Sequence, residues 1–132
     1  MLLLLLFVIL KTEDSCQSGY SIGGWLLSNH SYADDIAVVN DCLTNLQSFI
    51  DALSENAEEI GLEINLTKTN CVTTDKFQNP MNIKICGKTL KQVTEFIYLG
   101  HKLSSSGNQE VDLKHRIGLG WAVFEKHKTI LR

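Results

Sequence analysis

Along this chain the spacing of apolar and polar positions changes period several times, and each change marks an element. Met1 to Leu10 is an unbroken apolar run closed by Lys11. That run is too short to cross a bilayer as a helix, so no membrane span is expected. From Tyr20 to Val39 short apolar stretches are interrupted at Gly23-Gly24 and at Asn29-His30, the punctuation of strands joined by tight turns. Tyr32 leads into Asp34-Asp35, and Ile36-Ala37-Val38-Val39 leads away, which predicts a hairpin with both aspartates at its tip. From Asp41 onward Leu43, Leu46, Ile50, Leu53, Ala57 and Ile60 recur at three- and four-residue steps, the apolar stripe of an amphipathic helix. Asn40 or Asp41 is placed to cap its start, and Gly61 to end it in the left-handed conformation. Asp51, Glu55, Glu58 and Glu59 fall on or near the solvent side.

Leu62, Ile64 and Leu66 then alternate with Glu63 and Asn65, a period of two that predicts a half-buried strand, extended or paired by Thr69 to Thr74. Asn82 to Cys86, a turn at Gly87-Lys88 and Thr89 to Val93 predict a second hairpin, with a strand from Glu95 to Leu103 after it. Ser104 to Gly107 reads as a loop. From about Gln109, the residues Leu113, Ile117, Trp121, Phe124 and Leu131 stand at helical spacing, although Gly118 and Gly120 weaken that helix. The elements sum to an α+β fold: an antiparallel sheet of four or more strands, one helix packed on it, then a hairpin and a C-terminal helix leading away.

With 132 residues, 44% hydrophobic and 20% charged, the chain is one domain's worth of ordinary globular sequence rather than a disordered tail. Its net charge of −3 hides an asymmetry: residues 1–83 hold 3 Lys/Arg against 11 Asp/Glu, and residues 84–132 hold 9 against 4. A basic second part with His101, His115 and His127 suits phosphates, and suits a solvated helix face equally well. Cys16, Cys42, Cys71 and Cys86 are widely separated, without a Cys-x-x-Cys pair, and read as reduced thiols. Met1 to Leu10 is long enough for a signal-peptide core but lacks a basic start and a small-x-small cleavage site. The glycosylation triplets at Asn29 and Asn65 would matter only if that run directed secretion. An intracellular protein is expected, and secretion is the minority reading.

Two adjacent carboxylates beside an aromatic, Tyr32-Ala33-Asp34-Asp35, have the chemistry to hold a hard divalent cation such as Mg²⁺, which prefers carboxylate oxygens. A Tyr-x-Asp-Asp tetrapeptide arises by chance in about one chain in a hundred of this length and composition, so its context decides. That context is ordered: the turn, a helix, Gly61-Leu62-Glu63-Ile64-Asn65 with Lys68-Thr69, and Phe96-Ile97-Tyr98-Leu99-Gly100. Over residues 20–132 this resembles the palm of a reverse transcriptase, most closely the type encoded by non-LTR (LINE-like) retrotransposons. The resemblance implies a partial palm with a primer-grip-like hairpin over residues 20–103 and the start of a thumb-like helix over 104–132. Residues 1–19 form an extension outside it.

Position by position, the resemblance implies that Asp34 ligates catalytic Mg²⁺ and Asp35 supports the same metal site, with Lys68 neutralising or protonating the pyrophosphate. Tyr32, Phe96, Tyr98, Leu99 and Gly100 would contact the primer and its nucleic acid, and an RNA template and a DNA primer would be the partners. The bland alternative for Phe96, Tyr98 and Leu99 is strand core, and for Lys68 a surface lysine. In that family another aspartate comes from an earlier strand and fingers clamp the nucleotide. Only 33 residues precede Asp34, and Glu13 and Asp14 lack the family's surrounding pattern. The expectation is therefore weak Mg²⁺ binding and a fragment of an RNA-directed DNA polymerase that is inactive alone. The alternative is a domesticated, non-catalytic module that binds nucleic acid or protein. Loss of sheet partners upstream predicts association with other chains through an exposed sheet edge.

Overall fold

The computed structural model describes residues 11–12, 18–74 and 80–128. The apolar run, Cys16 and Leu131 lie outside the described residues. Two compact units divide the chain, the first holding the described residues up to Thr69 together with Asn82–Leu90, the second Asn70–Met81 and those from Lys91 on. Both mix short strands with a helix, giving the α+β class expected.

The first unit begins with two successive hairpins. Strands β1 (Tyr20–Ile22) and β2 (Trp25–Leu27) pair antiparallel around Gly23-Gly24, and β3 (Asn29–Tyr32) and β4 (Asp35–Val38) pair around Ala33-Asp34. Gly23 and Gly24 both take positive φ, the backbone that a two-residue hairpin turn asks for and that glycine adopts without a Cβ clash. The Val39 N–H donates to the Ser28 carbonyl at 2.8 Å, continuing the second ladder past its last strand residue.

Helix α1 (Leu43–Glu59) follows. The N-cap is Cys42, without a side-chain cap bond, so neither Asn40 nor Asp41 caps the helix as expected; Asn40 Oδ1 instead accepts the Cys42 N–H at 3.0 Å and turns the chain just ahead of it. At the other end Gly61 has φ 73, its N–H donates to the Glu58 carbonyl and the Leu62 N–H to the Ala57 carbonyl. That double bond pattern is the Schellman motif, and Leu62 completes it by packing on the cluster of Leu53 and Ala57. The buried stripe is Phe49, Ile50, Leu53 and Ala57. It departs from the expected one at two points: Leu43 is 48% exposed, while Phe49, four residues before Leu53 on the same face, is the most buried large side chain at 1%.

Strands β6 (Lys84–Ile85) and β7 (Lys88–Thr89) form the expected second hairpin, with its turn one residue earlier, at Cys86-Gly87. Helix α1 closes one edge of it through a side chain. Gln47 donates from Nε2 to the Lys84 carbonyl at 2.7 Å and accepts the Lys84 N–H on Oε1 at 2.9 Å, imitating a neighbouring strand. Ile83, Ile85 and Leu90 are buried in the same unit.

The second unit holds a short parallel pair, β5 (Asn70–Cys71) with β8 (Lys91–Gln92), and the antiparallel pair β9 (Glu95–Tyr98) with β10 (His101–Ser104). Helix α2 (Glu110–His127) ends it. Asn108 Oδ1 accepts the Glu110 N–H at 2.9 Å at its start, and Glu110 and Asp112 in the first turn with Lys126 and His127 in the last match the helix dipole.

Three expectations change. The described strands form two-stranded ladders instead of one sheet of four or more. Residues 62–66 keep alternating burial, yet no ladder forms there. Asn65 diverts the backbone: its Oδ1 accepts the N–H groups of Thr67 at 3.1 Å and Lys68 at 3.3 Å, closing a turn. The strand expected from Glu95 to Leu103 is folded in two at Leu99-Gly100, where φ is 49 and 80, so the run is a hairpin. A continuous apolar pattern cannot show that bend, because both arms present the same alternation.

Candidate functional site

The ladder of β3 with β4 fixes what each side chain of the Tyr32–Asp35 turn can do. Tyr32 stands opposite Asp35, and Ser31 opposite Ile36. Successive strand residues face opposite ways. Ile36 packs on Leu53 and Ala57 of α1, so Asp35 and Tyr32 are placed on the face turned away from the helix. Both are exposed, as are Ala33 and Asp34 in the loop, and Tyr32 is 66% exposed. Ala33 takes φ 53, a left-handed backbone unfavourable for any residue with a Cβ, while Asp34 has no positive φ. Two consecutive carboxylates thus project at the end of a tight turn.

Carboxylate oxygens on an exposed turn suit Mg²⁺, which keeps several water or phosphate ligands beside one or two carboxylates. Among the described residues no group of three His, Cys, Asp or Glu side chains is gathered to hold a metal ion. By itself the Asp34-Asp35 pair offers two carboxylates, fewer ligands than a complete Mg²⁺ shell needs.

Lys68 belongs to the same compact unit, in the turn that Asn65 builds. Its N–H also donates to the Asn65 carbonyl at 3.1 Å, and Thr69 donates to that carbonyl from its N–H at 3.0 Å and from Oγ1 at 2.8 Å. Lys68 is exposed on a backbone held by these bonds.

Phe96, Tyr98, Leu99 and Gly100 belong to the second unit. Phe96 faces Leu103 across the ladder and Tyr98 faces His101. Phe96 and Tyr98 are half-buried, and Leu99 is 39% exposed at the turn, so core packing describes the two aromatics and not the leucine. Lys102 pairs with Glu95 on the opposite face at 2.7 Å. An open groove of about 830 Å³ runs between β10 and the first turns of α2, lined by His101, Leu103, Asn108, Asp112, Leu113 and Arg116 among others.

Asp112 is a residue that the sequence reading passed over. The Lys102 N–H donates to its Oδ1 at 2.8 Å, and its Oδ2 lies 3.6 Å from both His101 Nδ1 and Arg116 Nη1. The Lys102 N–H, then the Arg116 charge and the neighbouring His101 ring, hold its carboxyl below the usual range. An acidic residue in a first helical turn is too common to stand out in sequence.

The thiols differ. At the start of α1 the Thr44 hydroxyl, 2.9 Å from the Cys42 sulfur, and the N–H groups of Asn45 and Thr44 lower its pKa. Burial raises that of Cys71.

Comparison with known proteins follows the same residues. The family described as reverse transcriptase (RNA-dependent DNA polymerase) matches residues 13–103, which include the Tyr32–Asp35 hairpin, α1, Lys68 and the β9–β10 hairpin. A transposon-derived protein of Caenorhabditis elegans is 28% identical over 112 residues, covering 82% of this chain and 40% of that protein. The chain thus spans well under half the length of that curated relative. No solved structure matches it. With the family match extending over more than half of its residues, the chain belongs to the reverse transcriptase (RNA-dependent DNA polymerase) family.

Proposed function

We propose that these 132 residues are the metal-holding turn, palm helix, primer-side hairpin and thumb start of an RNA-directed DNA polymerase of the non-LTR retrotransposon type. The observation that carries this reading is the exposed Asp34-Asp35 pair, on a turn whose direction is set by Ile36 on α1. Asp34 and Asp35 would hold Mg²⁺, which in this chemistry lowers the pKa of the attacking 3′-hydroxyl and stabilises charge on the leaving pyrophosphate. Lys68 supplies a positive charge or a proton to that pyrophosphate. Tyr32 packs beside the primer end, and Leu99-Gly100, at the tip of β9–β10, meet the primer backbone, with Phe96 and Tyr98 keeping the hairpin rigid. The partners are an RNA template and a DNA primer, and an intracellular location follows. Residues 20–103 serve as the palm portion and 104–132 as the thumb entrance.

Two adjacent carboxylates supply only part of what a nucleotidyl-transfer site needs, so we expect the 132 residues alone to bind Mg²⁺ weakly and not to polymerise. Primer extension on an RNA template with Mg²⁺ or Mn²⁺, beside an Asp34→Ala, Asp35→Ala variant, tests this. Extension by the chain that the variant loses would overturn the inactivity and keep the metal roles. Equal Mn²⁺ binding by chain and variant would overturn the metal roles themselves.

A second reading, a non-catalytic module that binds nucleic acid or a protein, is favoured by α2. Its Leu113, Ile117, Trp121 and Phe124 are exposed beside Lys114 and Arg116. It predicts binding that does not change when Mg²⁺ is removed. The exposed Tyr20, Ile22, Trp25 and Leu26 of the first hairpin, with its open strand edges, favour association with other chains.

A further inference from the structure

Helix α2 buries no residue. Its half-buried positions are Val111, Asp112 and His115, and every described residue after His115 is exposed. A helix of this length resting on its first two turns has little apolar area to fix its direction, so polar contacts near Val111 and Asp112 must do so. One carboxylate dominates there. Asp112, only 24% exposed, takes the backbone N–H of Lys102 from strand β10 on one oxygen and faces His101 of the same strand and Arg116 of α2 with the other. A charged acceptor for a backbone N–H is among the stronger single hydrogen bonds.

We propose that Asp112 is a positioning residue: its carboxylate locks the first turns of α2 to strand β10 and so sets the direction in which α2 leaves the hairpin that carries Tyr98, Leu99 and Gly100. The consequence for nucleic acid rests on the function proposed above. If the β9–β10 turn meets the primer, Asp112 holds helix and primer-side turn in one relative placement while touching neither substrate nor metal. Arg116, one turn further along α2, shares the carboxylate. Its guanidinium, though exposed, lies 3.6 Å from the lock carboxylate, whereas Lys114 pairs with Glu110 at 3.3 Å. The charged and titratable groups around the lock are His101, Lys102 and Glu95 from the hairpin, and Glu110, His115 and Arg116 from the helix.

The test uses the ¹⁵N-labelled 132-residue chain as wild type, Asp112→Ala and Asp112→Asn. In Asp112→Ala the Lys102 amide should exchange with solvent about tenfold faster or more, as loss of a charge-assisted bond implies. The residual dipolar couplings of α2 should then no longer fit one alignment tensor with those of β9–β10. Asp112→Asn, whose carbonyl oxygen still accepts, should keep the Lys102 amide within about threefold of wild type while weakening the hold of Arg116. It is the variant to read if Asp112→Ala fails to fold. Wild-type exchange and a single tensor in folded Asp112→Ala, or in Asp112→Asn a Lys102 amide as fast as that expected without any acceptor, would overturn the lock. Fluorescence anisotropy with an RNA/DNA duplex separates the two readings: a released helix with unchanged duplex affinity keeps the lock and removes the primer-side role.

Discussion

Ala33 is where fold and proposed chemistry meet, and Ala33→Gly tests the connection. Among the described residues, each of the four two-residue hairpin turns has a positive φ at its first residue: Gly23, Ala33, Cys86 and Leu99. At Ala33, with φ 53, the Cβ crowds the following carbonyl, a cost of about 1–2 kcal/mol for an L-residue. Glycine removes that cost but loses about 0.5–1 kcal/mol more conformational entropy on folding than alanine. The difference leaves Ala33→Gly more stable at the turn by about 0.5–1 kcal/mol, whereas Ala33→Val, with a branched Cβ at positive φ, should lose about 1 kcal/mol or more. Amide hydrogen exchange of Ser31, Tyr32 and Ile36 reads this locally, and the glycine variant should exchange about two- to fivefold more slowly. Strain at such a turn is commonly retained because it fixes a functional side chain. Under the proposed metal role, the same variant should bind Mn²⁺ several-fold more weakly, since the wider φ/ψ range of glycine lets the adjacent Asp34 sample more directions even within a more stable turn. Faster exchange in Ala33→Gly would refute the strain argument. Slower exchange with unchanged Mn²⁺ affinity would refute its functional half.

The other predictions concern the supports around the site. Phe49→Ala should destabilise the chain by about 3–5 kcal/mol in urea unfolding, because the ring is 1% exposed and its removal leaves a cavity under α1. Asn65→Ala should cost about 1 kcal/mol and disorder the Lys68 turn, seen as lost protection of the Thr67 and Lys68 amides, since Asn65 Oδ1 accepts from both. The Asp112 carboxyl titrates below its unfolded value, chiefly because the Lys102 N–H donates to it, so the unfolded chain binds that proton more readily. Its stabilising contribution is complete above the unfolded pKa, about 3.9, and is lost as pH falls through the lower folded value. The Lys102 amide shift followed from pH 6 to pH 2 checks it. Iodoacetamide should label Cys42 faster than Cys71 at pH 8, because hydrogen bonds favour the Cys42 thiolate and burial disfavours that of Cys71. Peptide mapping reads both rates.

Local elements were legible where the signal is local. The stripe from Leu46 to Ile60 and the glycine at 61 specify a helix and its stop in one stretch of chain, and the structure ends α1 with both bonds of the glycine motif. Turns at Gly23-Gly24 and near Gly87 were visible because glycine is rare elsewhere in such patterns. Leu99-Gly100 was read as mid-strand, since Phe96 to Leu103 keeps one alternation on both sides of the bend. The Leu62–Leu66 segment shows the opposite error. Its period is that of a strand, but a strand also needs a partner, and Asn65 spends its side chain closing a turn. Pairing partners, such as the parallel match of Asn70–Cys71 with Lys91–Gln92, leave no trace in composition at all.

The site was legible for a different reason. Asp34 and Asp35 stand out as adjacent carboxylates in an ordered series of motifs, and the family match over residues 13–103 bears out the family resemblance drawn from that series. What sequence left open was direction. A one-residue slip of the β3–β4 ladder would turn Asp35 toward α1 and Ile36 toward solvent, so the exposure of the carboxylate depends on a hydrophobic contact made by its neighbour. The same logic runs through Asp112, whose value lies in what it orients. In both places an inconspicuous contact does the aiming, Ile36 on α1 in one hairpin and the Asp112 carboxylate on the Lys102 N–H in the other. Such contacts are found by asking what holds each exposed group in place, and in a fold built from two-stranded ladders that holder is a single side chain or a single N–H.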